Sequence, residues 1–554
     1  MSPLRLPIPP LRRRGAEYTG CAGEFERSNA DPIADQSFAG DAGRSWLHVD
    51  SQPVLLRAVH AGPSDSLAAM KIRQLLSLVL LWLLADAASA RLGYSAQLSA
   101  DARQLAVSMC SDQALASGEL VSGSSEARDY LRGLNGDGDS QPKLTRRGIE
   151  YGPLAAGECL RYTVDAYAAA SADRYQLSWR DGNYVMLPLQ MWLWRPQRIP
   201  AGSSLELNLP RGWTASLPFA PLTTDDFRYQ LVNTPADWDA TSVFGRLLTR
   251  RLQVPGGELR LAILPPVDAR QQASVQRWAE QNVRALLAAS GRLPMSSVQV
   301  LVVPLPGVAA AVPWGQVTRG GGSALKLFVG LDASEQALLG DWTLAHEFSH
   351  LLHPYLRVRG RWLSEGLASY YQNVLRARSG ALTPNQAWSK LDAGFARGES
   401  EPNQYAQTLS SAAQGSYRST MRVYWSGAAF WLEAELALRQ QGGTDLADVL
   451  DAFARRHLPS NQQWQPERFM AELDAVAGTD LFAPLFARYD RAIAFPTLTD
   501  TYRQLGLGEK VGRLALTDAA PDAHIRDAIM QRSNAPGQQA RPANSADDSG
   551  IESQ

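Results

Sequence analysis

The sequence predicts an α+β fold with a β-sandwich-like amino-terminal domain, a mixed central lobe and a helical carboxy-terminal part. Three observations carry this expectation. Residues 91–250 hold short runs in which apolar and polar residues alternate between turn formers. Residues 255–380 interleave strand-like runs with helical periodicity, and beyond Leu382 nearly every apolar residue recurs at helical spacing. At 554 residues, 45% of them hydrophobic, the chain has apolar material for two or three domains.

Residues 1–69 are polar, punctuated by Pro and Arg and without periodicity. We expect them to be a disordered extension supplied by the gene model. The reason lies just downstream, where Met70-Lys-Ile-Arg opens an apolar stretch that closes on the small residues Ala88-Ser-Ala90. A basic start, an apolar middle and a small-x-small end describe an export signal, and such signals act at a chain start. Residues 70–90 therefore predict a signal peptide with translation beginning at Met70. A single membrane anchor is the rival, although the stretch is short for a span. Cleavage would leave a periplasmic or secreted protein with no stable membrane insertion. Of the three cysteines, Cys21 falls in the extension, so Cys110 and Cys159 form an even pair in an exported chain. A disulfide is expected, with two buried thiols as the alternative.

In the β-rich stretch the strand-like runs are Tyr175-Gln-Leu-Ser-Trp179, Tyr184 to Trp194 and Ser204-Leu-Glu-Leu-Asn-Leu209. They are separated by Asp181-Gly-Asn183 and Pro210-Arg-Gly212. Period two with this punctuation predicts antiparallel strands. Trp192 and Trp194 read as core packing. In the central lobe, Leu259 to Leu264 leads to an amphipathic helix around Val275–Leu287, then to strands at Val298–Val303 and Leu325–Val329; Gly320-Gly-Gly322 reads as a turn. Residues 381–515 form the expected helical lobe. From 516 to 554 Asp, Ala, Pro, Ser, Gln and Asn dominate, a composition too polar to offset the entropy of ordering, and a disordered tail is expected.

The chemistry concentrates in one segment. His346-Glu347-Phe-Ser-His350 lies on an apolar run with helical spacing, and residues four apart share a helix face, so the two imidazoles can serve one ion with Glu347 beside them. Catalytic zinc takes three protein ligands and leaves a position for water. Glu365, in a second amphipathic run after Pro354 and Gly360, completes the set. His353 competes for the third place, but it precedes Pro354, where the helix should end, and reads as a supporting residue. The bland alternative is two buried histidines satisfied by backbone groups, with both glutamates on solvated faces.

His346-Glu347-Phe-Ser-His350 together with Trp362-Leu-Ser-Glu365-Gly-Leu-Ala-Ser-Tyr-Tyr371 resembles the gluzincin signature of the aminopeptidase N and glycyl aminopeptidase families. Tyr424-Trp-Ser-Gly427 is similar to the Tyr-x-x-Gly helix start from which those enzymes present a tyrosine to the transition state. The resemblance spans roughly 255–495. It implies a thermolysin-like lobe over 255–380, zinc as the cofactor on His346, His350 and Glu365, Glu347 as the proton-transferring base and Tyr424 as an oxyanion donor. It implies a peptide or protein as the substrate. Those families also carry a glutamate on a strand upstream of the zinc helix, which binds the substrate amino terminus. The corresponding stretch here, Trp314–Gly330, has no carboxylate and offers Arg319 and Lys326 instead. Cleavage of internal bonds, or of substrates with a blocked amino end, is therefore expected. Glu433 and Glu435, after Tyr424, are the candidate replacements for the missing acid. A net charge of -1 gives no support to nucleic-acid binding. Two other functions stay open at this stage: a non-hydrolytic binding protein or chaperone with structural zinc, and a zinc hydrolase of a non-peptide bond.

Overall fold

Strand Tyr184–Pro188 is buried at nearly every position because it separates two cores. Val185 and Leu187 face a core shared with Leu92, Tyr94, Trp192 and Trp194, whereas Tyr184 and Met186 face one shared with Leu301, Val303, Trp314 and Phe328. The expected alternation of buried and solvated positions is thus corrected here: a strand covered on both faces needs apolar residues on both. The strand also stops at Pro188 and passes into a 3-10 turn, Leu189–Met191, rather than continuing to Trp194.

The computed structural model describes residues 90–171, 179–223, 227–415, 419–442, 444–510 and 513–531. The expected extension (1–69), all of the signal segment but Ala90, Cys21, the run Tyr175–Ser178 and residues 532–554 lie outside them. The fold is α+β. A six-stranded sheet has the order Arg228–Gln230, Ser204–Asn208, Leu92–Leu98, Gln104–Ser111, Cys159–Asp165, Leu131–Gly136. It is mixed rather than wholly antiparallel, since Leu92–Leu98 runs parallel to Ser204–Asn208, a pairing that the long chain between them permits. Cys110 and Cys159 sit opposite each other on neighbouring strands and form the disulfide. A four-stranded sheet, in the order Thr214–Ser216, Thr241–Gly245, Tyr184–Pro188, Trp179–Asp181, supplies the opposite side of the same core.

A five-stranded sheet follows, ordered Leu248–Val254, Gly257–Ile263, Ser297–Leu305, Ser323–Gly330, Trp314–Thr318. Its three inner strands are parallel and its two edges antiparallel. Helix Ala269–Ser290 connects the first parallel pair. Asp268 and Gln271 close a capping box at its start, and Gly291, at φ 71°, ends it in a left-handed turn. The sheet face carrying Leu261, Val300 and Leu327 packs on this helix and on the helices beyond, among which Leu344, Phe348 and Leu367 share the same core. Gly321 and Gly322 lie where a Cβ would collide with the Phe219 ring and the Pro218 carbonyl, so the glycine run is a close-packed turn against the amino-terminal sheets.

Three helices frame the site. They are the histidine helix Thr343–Ser349, the glutamate helix Arg361–Arg378 and the tyrosine helix Thr420–Gln441. The last two cross at a pair of glycines. A Cβ on Gly427 would lie 1.9 Å from the Trp362 carbonyl oxygen, and one on Gly366 would lie 2.3 Å from the Gly427 carbonyl carbon. The expectation of a disordered tail from 516 is corrected over the described part. Ala523–Met530 is helical, and Ile525, Ile529 and Met530 are buried in the large helical core. Average composition hid three apolar residues on one helix face. The Ile529 carbonyl accepts a 2.9 Å hydrogen bond from Arg378 of the glutamate helix.

Gly427→Ala is expected to destabilise the protein by at least about 2 kcal/mol, read as a lowered Tm, because backbone rather than a flexible side chain occupies the space. Gly93→Ala, with nothing within 4 Å of its added Cβ, serves as the control and should stay within about 0.5 kcal/mol. Equal Tm values for the two variants would contradict the crossing.

Candidate functional site

The histidine helix is short for a physical reason. Pro354 cannot continue it, so the chain tightens into a 3-10 turn at His350–Leu352 and leaves carbonyls without helical partners. Arg319 takes up two of them, donating to His350 O at 2.6 Å and to His353 O at 3.4 Å. His346 is thus α-helical and His350 opens the 3-10 turn, a departure from the single helix expected. The spacing still stacks the rings, with centroids 5.1 Å apart. Glu365 comes up from the glutamate helix: its Oε2 lies 3.2 Å from His346 Nε2 and 3.6 Å from His350 Nε2. One ligand atom from each of the three residues falls within 4.8 Å of the others, and both histidines are buried.

Hydrogen bonds settle which ring nitrogens face inward. His346 Nδ1 is 2.9 Å from Gln372 Oε1, an oxygen that can only accept, so Nδ1 carries a proton and Nε2, turned toward Glu365 Oε2, is the nitrogen that a metal ion would take. His350 is set by a longer relay. His353 Nδ1 donates to Pro354 O at 2.7 Å, which leaves His353 Nε2 as an acceptor; Ser364 Oγ lies 3.1 Å from that nitrogen and 3.0 Å from His350 Nδ1. Ser364 therefore donates to His353 and accepts from His350, leaving His350 Nε2 with its lone pair. Burial, with Arg319 second, pushes His353 down to about 3, and burial, followed by the proximity of His346, His353 and the Arg319 cation, holds His350 well below its ordinary value. Both stay neutral. A divalent ion fits this donor set: two imidazole nitrogens and one carboxylate oxygen converge, with each imidazole oriented from behind.

Glu347 is buried against the edge strand Trp314–Thr318. A Cβ at Gly315 would stand 2.9 Å from Glu347 Cγ and 2.8 Å from Thr343 Cγ2, so a glycine is needed there. The Val317 backbone N–H donates to the Glu347 carboxylate, yet burial dominates and raises the carboxyl to about 7, with His346 opposing and Glu365 reinforcing the rise. A carboxyl poised near neutrality suits proton transfer in both directions. Tyr424, one turn before Gly427, lies with its ring nearly parallel to that of His346 at 6.1 Å. Burial and then the Glu365 charge hold its phenol well above the usual value, so it remains a hydrogen-bond donor.

The structure brings together His346, Glu347, His350, Glu365 and Tyr424. It corrects the surroundings. Arg319 is not a cationic rim, since its guanidinium is spent on the carbonyls of the histidine segment. Lys326 is buried on the other side of the sheet, 3.5 Å from Thr241 Oγ1. Glu435 is fully buried between Arg439 and Arg378, and Glu433 pairs with Arg488, so both proposed substitutes for the missing acid are already paired. Gln372, Ser364 and Gly315 escaped the sequence reading, and Arg319 was read in a different role. Gln372 had a signal, because it lies seven residues after Glu365 and so on the same helix face. The other three act across elements distant in sequence.

The M61 glycyl aminopeptidase family profile matches residues 355–430, the segment carrying Glu365 and Tyr424. An aminopeptidase N family protein from Idiomarina loihiensis is similar in structure, with TM-score 0.54 and 15% identity, covering 75% of this chain and 78% of its own. An M1 zinc metallopeptidase from Deinococcus radiodurans aligns with TM-score 0.45 and 14% identity over 74% of this chain and 94% of its own. No curated protein sequence matches. The chain resembles the gluzincin metallopeptidases of the aminopeptidase N and glycyl aminopeptidase type. At such identity the structural likeness is one of fold.

The relay makes a prediction of its own. Ser364→Ala and His353→Ala should each weaken metal binding about 10- to 100-fold, measured by chelator competition, while Gln316→Ala, buried on the opposite face of the edge strand, should not. Unchanged affinity in both relay variants would refute the tautomer assignment.

Proposed function

We propose that the protein is an exported zinc-dependent peptidase that hydrolyses peptide bonds at His346, His350 and Glu365. The observation that carries this is the convergence of two inward-facing imidazole nitrogens and one carboxylate oxygen beside a buried glutamate. Its architecture is read as a β-sandwich-like domain over 91–250, a thermolysin-like lobe over 255–380 and a helical lobe over 381–515. The Cys110–Cys159 disulfide supports an oxidising destination, periplasmic or secreted. Among the described residues, no helix is long and apolar enough to cross a membrane.

Zinc, when bound, supplies a Lewis acid for the scissile carbonyl and an acidified water. The residues do the rest. Glu347, held at its edge by the Val317 amide, accepts the proton of the attacking water and returns it to the leaving amine. The water attacks the carbonyl carbon and the C–N bond breaks as that proton arrives. Tyr424 donates its O–H to the oxygen on which negative charge develops. Gly315 leaves space for Glu347, and the strand it belongs to is the edge of its sheet, placed to align an extended peptide beside the site.

The amino end of the substrate finds no carboxylate in Trp314–Gly330, and Glu433 and Glu435 are paired elsewhere. We therefore read the enzyme as endopeptidase-like, or as an exopeptidase that does not depend on a free ammonium group.

Glu347→Gln should retain about one zinc per chain and lose at least about 100-fold in kcat, whereas His346→Ala should lose the zinc itself. Elemental analysis beside peptide hydrolysis checks both, and full zinc in His346→Ala would overturn the ligand set. Matched peptides with free and acetylated amino ends should be cleaved at similar kcat/KM; a strong preference for the free form would restore an aminopeptidase reading.

A further inference from the structure

The histidine helix opens on a tryptophan whose side chain does nothing for the helix. Trp342 holds the N-cap position, where Ser, Thr, Asp or Asn would ordinarily accept a hydrogen bond from a free amide, and an indole offers no acceptor. Asp341 does that task from one position earlier, taking the Thr343 N–H at 2.7 Å. The indole is 45% exposed. It meets the His346 imidazole edge to face, with ring centroids 5.5 Å apart and planes at 76°, while Tyr424 lies nearly parallel to the same imidazole. Two aromatic rings thus flank one histidine of the candidate metal centre, and the first keeps much of its surface in water. A tryptophan so placed has apolar area left to bury.

A second apolar surface adjoins it. Thr343, the next residue, donates its hydroxyl to the Val312 carbonyl at 3.4 Å and sets its Cγ2 beside Gly315. Val312 belongs to the segment Pro306-Gly-Val-Ala-Ala-Ala-Val-Pro313, which has no polar or charged side chain yet exposes Pro306, Ala309, Ala310 and Pro313. An exposed run of that composition marks a surface that another group covers. It leads directly into the edge strand Trp314–Thr318, so it continues the apolar surface of Trp342 along the line of an extended peptide. The reach fits. Trp342 precedes Glu347 by five residues, about 7.5 Å along a helix, or roughly two residues of an extended chain.

We propose that Trp342, together with the exposed segment 306–313, forms a subsite for a large apolar side chain of the peptide substrate, aromatic by preference, within two residues of the scissile bond. This rests on the peptidase reading above and adds to it a substrate class: peptides anchored by a hydrophobic side chain rather than by an ammonium group. Main-chain pairing with an edge strand is indifferent to sequence, and an anchor of this kind supplies the register that such pairing lacks.

The test uses binding, so that turnover is not required. Zinc-loaded Glu347→Gln protein, its zinc content measured first, is titrated with short peptides blocked at both ends, in which each position in turn carries Phe, Leu or Ser. At one position Phe should bind about tenfold more tightly than Ser, with Leu between them. Trp342→Ala in the same background should bring that ratio within about twofold and leave the ratios at the other positions unchanged, and Trp342→Tyr should retain most of the preference. Trp342→Leu is read beside them, since it keeps an apolar contact with His346 if the smaller side chain costs zinc; it should lose the preference for Phe over Leu. No preference for Phe at any position, a preference that survives both Trp342→Ala and Trp342→Leu, or an equal weakening of every peptide in these variants would overturn the subsite while leaving the peptidase reading in place. Absence of zinc, or of binding by any peptide, would remove both.

Discussion

Everything at the site hangs on two helices whose backbones touch. Gly366 and Gly427 meet where neither tolerates a Cβ, and this contact sets the distance between the helix carrying Glu365 and the helix carrying Tyr424. Glu365 sits beside Gly366 in sequence and Tyr424 one turn before Gly427. The crossing therefore fixes a carboxylate and a phenol with respect to each other, and the His346 ring lies within reach of both. Bulkier residues would move the helices apart by a distance larger than the tolerance of a metal site or an oxyanion donor.

A second constraint is electrostatic. The histidine segment must end abruptly, because Pro354 forbids another turn, and its freed carbonyls would be costly in a buried setting. Arg319 answers this by donating to two of them. The cation that follows the edge strand thus stabilises the chain end that holds His350, and its charge helps keep His353 neutral. Farther out, Glu435 is tied to Arg378 and Arg439, and Arg378 in turn holds the carboxy-terminal helix through Ile529 O.

Much of the site was legible in the sequence. His346, Glu347, His350 and Glu365 declare themselves by spacing, since helical geometry converts an interval of four residues into a shared face. Tyr424 was legible through its Gly427, and the disulfide through the pairing of Cys110 with Cys159. The errors share a cause. The run after Tyr184 was read as having one solvated face, and the segment after 516 as unstructured, because local composition does not report what another layer will cover. Arg319 and Lys326 were read as a cationic rim, but a side chain's charge says nothing of whether a carbonyl is already waiting for it.

The sequence by itself determined the fold class, the order of the β-rich, mixed and helical stretches and the residue types and intervals of the candidate site, because these depend on short-range periodicity and on the chemistry of side chains. Only the tertiary structure decided which nitrogen of each imidazole faces inward and which glutamates are spent on arginines. Those outcomes depend on hydrogen-bond partners brought from elements far apart in the chain, such as Pro354 and Ser364 around His353 or Arg378 and Arg439 around Glu435, and no local pattern encodes a contact whose second half lies in another element.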